Sequence, residues 1–259
     1  LRNVCDLKSG AVFPSQAADQ EYYGLPPEKR KGRTHPAVDR TILSGTAALT
    51  ASVFLRASAL LGRRDLEEFA LKTLDLLLRE GFDAKRGMAH VLGEEAGLRG
   101  LARDQGLVSG ALVDAYELTG RAAYLEPALT LIQFCRDRLW SETEKGLLDR
   151  PPGVDELGEL SKKRKNLADA GLVAEAALRL AGHLDPSLRE FARNVLGAFP
   201  DLLDDYGHGT VEYAAACDLL ERPVTEVDLI GATPEWSRAA VASFVPRRVI
   251  RHSIPEKGS

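Results

Sequence analysis

The chain has 259 residues, of which 44% are hydrophobic and 28% charged, so it is long enough to bury the core of one large domain or of two small ones. A net charge of -4 and two short basic runs, at 28–33 and 162–165, give no electrostatic case for a nucleic-acid partner. None of its apolar runs reaches the length of a membrane span, and no basic and then apolar leader opens the chain.

The first 40 residues are predicted to be a loop segment that packs on the rim of the domain that follows. The stretch 12–25 has no helical period, and a Pro-rich connector follows it at 26–36. Tyr22 and Tyr23 are predicted to form a packing or stacking surface. The chain begins with Leu rather than Met, which suggests a segment of a longer protein or an N-terminus produced by processing.

Residues 41–222 are predicted to form a helical-hairpin (α/α) domain, because three segments repeat one pattern. In each, an Ala is followed three residues later by a Leu and, two residues after that, by a Gly that suits a helix C-terminus. These glycines, Gly62, Gly120 and Gly182, are 58 and 62 residues apart. The predicted helices are at 41–61, 66–80, 105–119, 122–140, 167–181, 186–198 and 210–221.

The first helix of each pair is rich in small residues, and the second is richer in long and charged ones. This difference is typical of a ring of inner helices surrounded by outer amphipathic helices. The segments 81–104 and 141–166 return the chain to the next inner helix, with short strands predicted at 87–92 and 145–149. The predicted fold is therefore mostly α, an (α/α) toroid or part of one.

The tail, 223–259, is predicted to form a β-α-β unit. Two strands at 224–231 and 247–251 flank a helix at 234–244, which favours a parallel pair beside the helices. The turn after the first strand has one glycine, Gly231, where a nucleotide site would have several. No cofactor is predicted.

The cysteines, Cys5, Cys135 and Cys217, are odd in number, far apart and without a C-x-x-C motif. That spacing argues against a disulfide framework, a zinc site and a dithiol redox motif. Cys135 and Cys217 lie on apolar helix faces, which predicts small buried thiols. We therefore expect a reducing compartment, the cytoplasm, and no bound metal.

Four stretches resemble one family: 15–19, 39–43, 115–126 and the tail. They follow the order that they have in that family and together span nearly the whole chain. The sequence is similar to the C-terminal portion of the YyaL and spermatogenesis-associated protein 20 type. Those proteins join a thioredoxin-like domain to a six-hairpin (α/α) toroid of the glycosidase and N-acylglucosamine 2-epimerase kind. The resemblance implies a toroid and, as partners, a carbohydrate-like small molecule or a thioredoxin-like domain in the same protein.

The sequence also departs from that family. Ala17 stands where the family's Ser-Gln-Asp-Ala-Asp element has its first Asp, and Thr46-Ala47 replaces its Trp-Asn. Only about three and a half hairpins are predicted, where a closed six-hairpin ring needs nearly twice as many helices. We therefore expect an open arc, completed by other sequence or by a partner, or a degenerate relative.

The resemblance implies a site on the rim formed by the starts of the inner helices and the loops before them. The predicted ligand-binding residues are Gln16, Asp19, Gln105, Asn166 and His208. Asp19, Asp104 and His208 are the catalytic candidates, and Asp19 with Asp104 is the pair nominated for glycoside hydrolysis. Epimerisation would instead use histidines, for which His90 and His208 are the pair able to meet.

A structural explanation competes with each of these assignments. Asp104 and Asn166 stand where helix N-caps stand, and a cap needs no ligand. Asp169 and Glu175, on the third inner helix, could face the channel or could be exposed or ion-paired instead. Two hypotheses remain: an accessory or binding domain without independent catalysis, and a carbohydrate-active domain, epimerase-like or glycosidase-like.

Overall fold

The computed structural model describes residues 3–93, 97–151, 158, 162–199 and 210–254. Its α-helices are α1 (Gln20–Tyr23), α2 (Pro27–Arg30), α3 (Ser44–Leu61), α4 (Arg64–Glu80), α5 (Ala102–Thr119), α6 (Leu125–Phe134), α7 (Leu167–His183), α8 (Leu188–Gly197), α9 (Val211–Glu221) and α10 (Pro234–Ala242). Its strands are β1 (Cys5–Asp6), β2 (Ala11–Val12), β3 (Ser15–Gln16), β4 (Val38–Asp39), β5 (Trp140–Ser141), β6 (Gly146–Leu147), β7 (Thr225–Ile230) and β8 (Arg248–Ser253). They pair only two by two, so the predicted mostly α fold is confirmed.

Two layers of helices build the domain. The inner layer is α3, α5, α7 and α9, each packed against the next, while α4, α6 and α8 pack behind α3, α5 and α7. Small residues allow the inner helices to approach one another, since a side chain at Gly106 would place its Cβ 3.0 Å from the backbone of Leu172. The outer helices bury one face each, as Phe69, Leu74 and Leu77 do in α4.

Two of the three predicted glycine caps are present. Gly62 and Gly120 end α3 and α5 in the left-handed conformation, with φ of 66° and 70°. The third prediction is wrong, because α7 continues past Gly182 to His183. Gly182 instead makes room for the tail, since a Cβ there would lie 3.0 Å from a methyl group of Val249.

The helix predicted at 122–140 is not uniform. It begins with a 3₁₀ turn at Ala122–Tyr124, continues as α6 and ends in a π-helical turn at Cys135–Leu139. Cys5 and Cys135 are buried, Cys217 is half-buried, and all three thiols are unpaired. Burial raises the pKa of the Cys135 thiol far above its usual range, so this thiol is inert.

The return segments hold the starts of the inner helices. In the first, isolated bridges join Leu43 to Val91 and Ala89 to Arg99, in place of the strand predicted at 87–92. In the second, β5 pairs with β6, which overlaps the strand predicted at 145–149. The Ala102 N–H donates to the Asp149 carbonyl at 2.9 Å, so this segment reaches the start of α5.

The segment before α3 joins the same hydrophobic core. Val12 and Phe13 are buried with the residues of α3 and α4, and the Thr73 hydroxyl donates to the Gly10 carbonyl at 2.7 Å. Strands β3 and β4 pair antiparallel and bring the chain to α3. Division of the chain at residues 40 and 222 stays a prediction.

The tail forms the predicted β-α-β unit. Strands β7 and β8 are parallel, with Thr225 opposite Arg248 and Ile230 opposite Ser253. Helix α10 packs on α3 and α5, and β8 lies against α5 and α7. The Tyr116 hydroxyl accepts from the His252 N–H at 3.1 Å, which fixes β8 at the C-terminal end of α5.

Helix α3 is both long and apolar. Within the described residues it alone has the length and apolar composition that would let a helix cross a membrane, and 39% of it is buried inside the domain. A core helix of a folded domain meets the same criteria. Its packing between α4 and α5 identifies α3 as an inner helix of the array.

Candidate functional site

The N-terminal ends of α5 and α7 bring several charged side chains together, and we call this region the rim: His90, Arg103, Asp104, Asp149 and Asp169. His90 and Asp149 come from the two return segments, and the other three come from the first turns of the two helices. The rim is therefore held in place by the backbone of the array.

His90 and Asp104 form a hydrogen-bonded pair. His90 Nδ1 lies 2.8 Å from Asp104 Oδ2; the Asp104 side chain is 3% exposed and the His90 side chain 35% exposed. Helix α5 begins at Ala102 with Leu101 as its N-cap, so the interpretation of Asp104 as a cap is wrong. Gly45 of α3 allows the Asp104 side chain to approach α3 closely, since a Cβ added at this glycine would lie 2.7 Å from Asp104 Oδ1.

Asp169 is the second notable carboxyl group of the rim. It lies in the first turn of α7 and accepts from Arg103 Nη1 at 3.3 Å. Burial raises the pKa of Asp169, and the neighbouring carboxylates of Asp149 and Asp104 raise it further, while Arg103 opposes them. Asp169 therefore holds a proton to a higher pH than an ordinary aspartate does.

This shift predicts a pH-dependent effect of Asp169→Asn on stability. A carboxyl group with a raised folded-state pKa contributes stability below its unfolded pKa of about 3.9, and that contribution is lost as pH rises through the folded pKa. Since Asn does not titrate, the variant gains stability relative to the wild type between pH 4 and pH 7. Urea unfolding of both proteins at the two pH values measures this difference, and a difference of opposite sign would refute the raised pKa.

Two predicted ligand-binding residues near the rim have structural partners. Gln105 is fully buried; its amide oxygen accepts from the Met88 N–H at 2.9 Å, and its amide nitrogen donates to the Leu101 carbonyl at 3.0 Å. Asn166 is the N-cap of α7 and accepts from the Asp169 N–H at 3.1 Å. These contacts account for both residues, and a ligand-binding role for either stays a prediction.

The predicted residues of the first segment lie in separate local structures. Gln16 donates to the Pro36 carbonyl at 2.9 Å, and Asp19 caps α1 by accepting from the Tyr22 N–H at 2.9 Å. Neither side chain has a described contact with His90 or Asp104. His208 lies outside the described residues, so the predicted pairs of Asp19 with Asp104 and of His90 with His208 both stay predictions.

A buried ionic network that the sequence analysis did not identify lies farther along the inner helices. Arg56, Asp114 and Arg179 are each the thirteenth residue of their helix, α3, α5 and α7, so they form one level, which we call the charged layer. Asp114 Oδ1 accepts from Arg179 Nη2 at 2.7 Å and from Arg56 Nη2 at 3.3 Å. Aligning the helices at their starts, rather than at the glycines, would have revealed this level.

Asp114 also accepts from the Ser52 hydroxyl, and Arg179 Nη2 also donates to Glu117 at 2.9 Å. Burial raises the pKa of both carboxyl groups, but it is outweighed by Arg179 together with Arg56 and Ser52 at Asp114, and by Arg179 together with His183 at Glu117. Each pKa is therefore held below its usual range. Burial likewise opposes the charge of Arg179, yet Glu117 and Asp114 raise its pKa. The network is therefore charged and internally neutralised at pH 7.

Within the described residues, no group of three or more His, Cys, Asp or Glu side chains is arranged to hold a metal ion. The rim can instead orient an imidazole against a buried carboxylate, accept and donate hydrogen bonds, and hold a proton on Asp169. Such groups suit a small ligand with several hydroxyl groups.

Solved structures with the same fold act on sugars. Cellobiose 2-epimerase from Bacillus thermoamylovorans is similar with a TM-score of 0.60 and 16% identity, over 76% of this chain and 50% of that one. A sugar epimerase from a ruminal bacterium has a TM-score of 0.59 and 16% identity, over 77% and 50%. Unsaturated glucuronyl hydrolase from Bacillus sp. GL1 has a TM-score of 0.57 and 16% identity, over 85% and 65%.

These similarities establish the fold. The chain has the helical-hairpin architecture of these (α/α) toroids, and it spans about half the length of the two epimerases. No family model matches the sequence. No curated protein matches it either.

Proposed function

We propose that this chain is a carbohydrate-binding domain whose ligand site is the rim. The observation that carries the proposal is the His90–Asp104 pair, a partly exposed imidazole held by a buried carboxylate at the start of an inner helix. Its support is the sugar chemistry named for proteins of the same fold, epimerases and a glucuronyl hydrolase. The cytoplasm, suggested by the unpaired cysteines, is the compartment we propose.

If the rim catalyses a reaction, its chemistry favours epimerisation over glycoside hydrolysis. Hydrolysis uses two carboxyl groups that flank the scissile bond, but the Asp104 carboxylate is almost fully buried and is bound to His90. A carboxylate that accepts from Nδ1 orients the ring and favours the tautomer whose Nε2 is free to accept a proton. His90 is then suited to remove a proton next to a sugar carbonyl, and Asp169 is suited to hold one.

The prediction for this site concerns sugar binding by Asp104→Asn and His90→Gln. We expect each variant to bind sugars at least tenfold more weakly than the wild type. Asp104→Asn removes the carboxylate whose charge-assisted hydrogen bond orients the imidazole, and His90→Gln removes the imidazole. A glycan array followed by calorimetric titration with the best ligand measures the change. Asp65→Asn is the matched control, since Asp65 is an exposed carboxylate at the opposite end of the array.

Equal affinity of wild type, Asp104→Asn and His90→Gln for the same sugar would contradict the rim as the site. Circular dichroism of each variant separates lost binding from lost folding. Absence of any sugar ligand for the wild type would refute the carbohydrate proposal itself.

A second function, an accessory domain without catalysis, is favoured by a different observation. Leu49, Val53 and Leu60 of the inner helix α3 are 49%, 54% and 65% exposed, which is unusual for an inner helix of a toroid. Exposed apolar surface of this kind marks interaction sites. The partner that the family resemblance suggests is a thioredoxin-like domain of the same protein, and self-association of the isolated chain on size-exclusion chromatography would support this second function.

A further inference from the structure

The charged layer lies between two cavities on the inner face of α3, α5 and α7. The cavity on the rim side has a volume of about 230 Å³, and the one on the tail side about 350 Å³. We call the second the tail cavity, because residues 241–248 of the tail form one of its walls. The layer is ten residues beyond the rim residues Asp104 and Asp169 along α5 and α7, so it lies about 15 Å from the rim.

Most of the polar groups around the tail cavity are already satisfied. Asp114 and Glu117 share Arg179 as their cation, and all three side chains are nearly inaccessible to solvent. Arg248 is held by the tail, because its two terminal nitrogens donate to the Ser243 and Val241 carbonyls at 2.6 and 2.7 Å. These contacts hold the polar base of the cavity, although Arg248 Nε is buried there without a hydrogen-bond partner among the described residues.

Two side chains of opposite charge at this cavity, Arg56 and Glu175, keep unused hydrogen-bonding capacity. Arg56 is 56% exposed and contacts Asp114 through Nη2 alone, at 3.3 Å, so most of its guanidinium donors face open space. Glu175 lies one turn before Arg179 and helps to raise the pKa of that guanidinium through its charge. Within the described part of the chain its carboxylate makes no direct hydrogen bond or ion pair. Arg56 and Glu175 both line the cavity, from helices α3 and α7 on either side of α5.

The rest of the cavity wall is apolar. Leu55 and Leu60 come from α3, Leu219 comes from α9, and Val241 and Val245 come from the tail. A cavity of this volume, with apolar walls and a few charged groups, has the composition of a small-molecule site. At the level of this cavity the inner helices carry mostly small or apolar residues, and the charged residues named above are the exceptions.

We propose that the tail cavity binds a small zwitterion, a free α-amino acid with an apolar side chain. The ligand carboxylate would pair with Arg56, whose planar guanidinium suits two-point recognition of a carboxylate. Its ammonium group would pair with Glu175, and its side chain would pack on the leucine and valine wall. A neutral sugar would hydrogen-bond to both side chains but neutralise neither charge, and an ion of one sign would neutralise only one of them.

The test is isothermal titration of the whole chain with leucine and phenylalanine. N-acetyl-leucine, which lacks the ammonium group, and leucinamide, which lacks the carboxylate, are the matched ligands. We expect leucine or phenylalanine to bind with a Kd below about 1 mM, and each analogue of leucine to bind at least tenfold more weakly than leucine.

Two variants assign the charges. Glu175→Gln is expected to weaken leucine at least tenfold while leaving N-acetyl-leucine unchanged, and Arg56→Gln to weaken leucine while leaving leucinamide unchanged. Arg63→Gln, which changes an exposed arginine beyond the end of α3, serves as the control and should bind like the wild type.

Three results would overturn the proposal: no binding of either amino acid, binding that neither variant alters, or equal binding of a neutral disaccharide at this cavity. Sugar binding at the rim should be the same in Glu175→Gln as in the wild type. Failure of the amino-acid site is therefore distinguishable from failure of the rim.

Discussion

Replacing Arg179 by methionine is expected to destabilise the fold by about 3–5 kcal/mol, because it removes the buried cation that two buried carboxylates share. Asp114 then keeps only the longer contact with the exposed Arg56, at 3.3 Å, and Glu117 keeps only its contact with His183 Nε2, at 3.2 Å. Asp114 and Glu117 both depend on this guanidinium, at 2.7 and 2.9 Å, and all three side chains are less than a tenth exposed. Removing one partner of a buried ion pair is far more harmful than removing the whole pair. Urea unfolding at pH 7 measures the loss.

The effect of Arg179→Met should also depend on pH. In the wild type the pKa of Asp114 and Glu117 is held below its usual range, so their stabilisation is present above the unfolded value of about 4 and is lost as pH falls below it. In the variant the same carboxyl groups can take up a proton and lose their charge. The stability difference between the two proteins is therefore expected to narrow from pH 7 to pH 4.

Two controls make the Arg179 result specific. Arg63→Met breaks an exposed ion pair with Asp65 and should change stability by less than about 1 kcal/mol. Adding Asp114→Asn and Glu117→Gln to Arg179→Met removes the unpaired charges and should restore most of the loss. If Arg179→Met were as harmless as Arg63→Met, the network would not be the buried ionic core that the distances indicate.

The second large effect is expected from Gly171→Ala in α7. A Cβ at this position would lie 2.5 Å from the backbone of Glu212 and Tyr213, so α7 and α9 would have to separate. Overpacking of this kind typically costs about 1–3 kcal/mol, which exceeds the gain of up to about 1 kcal/mol from the better helix propensity of alanine. The free energy of unfolding in urea is the measurement.

Gly110→Ala in α5 is the matched substitution. Gly110 is also a mid-helix glycine on an inner helix, but a Cβ there would have no neighbour within 4 Å. Alanine should therefore stabilise the protein by about 0.5–1 kcal/mol. A loss of stability at both positions would show that helix spacing does not explain the effect at Gly171.

Local sequence signals were sufficient to predict the architecture. The periodic Ala, Leu and Gly pattern indicated the hairpins, and the Gly62 and Gly120 caps are where it placed them. Gly182 followed the same pattern for another reason, close contact with Val249 of the tail. One sequence does not distinguish a glycine that ends a helix from one that admits a neighbour, because both requirements are met by the absence of a side chain.

The site was harder to predict, because its geometry depends on contacts between distant segments. His90 and Asp104 are fourteen residues apart and on different elements, and their pairing depends on how the return segment folds over α5. Asp104 was interpreted as a cap because the start of α5 was predicted three residues too late. The charged layer depends on how α3, α5 and α7 are aligned along their axes. Aligning them at Gly62, Gly120 and Gly182 displaces α7 by three residues relative to the other two, which hides the layer.

The docking of the tail has a consequence for how the domain unfolds. In a plain array of hairpins each unit contacts only its neighbours, so the ends can fray independently of the middle. Here α10 contacts both α3 and α5, and β8 contacts both α5 and α7, so one segment joins three hairpins at once. The tail, described at 223–254, thus fastens three hairpins together, and these hairpins are expected to lose their structure together rather than one by one.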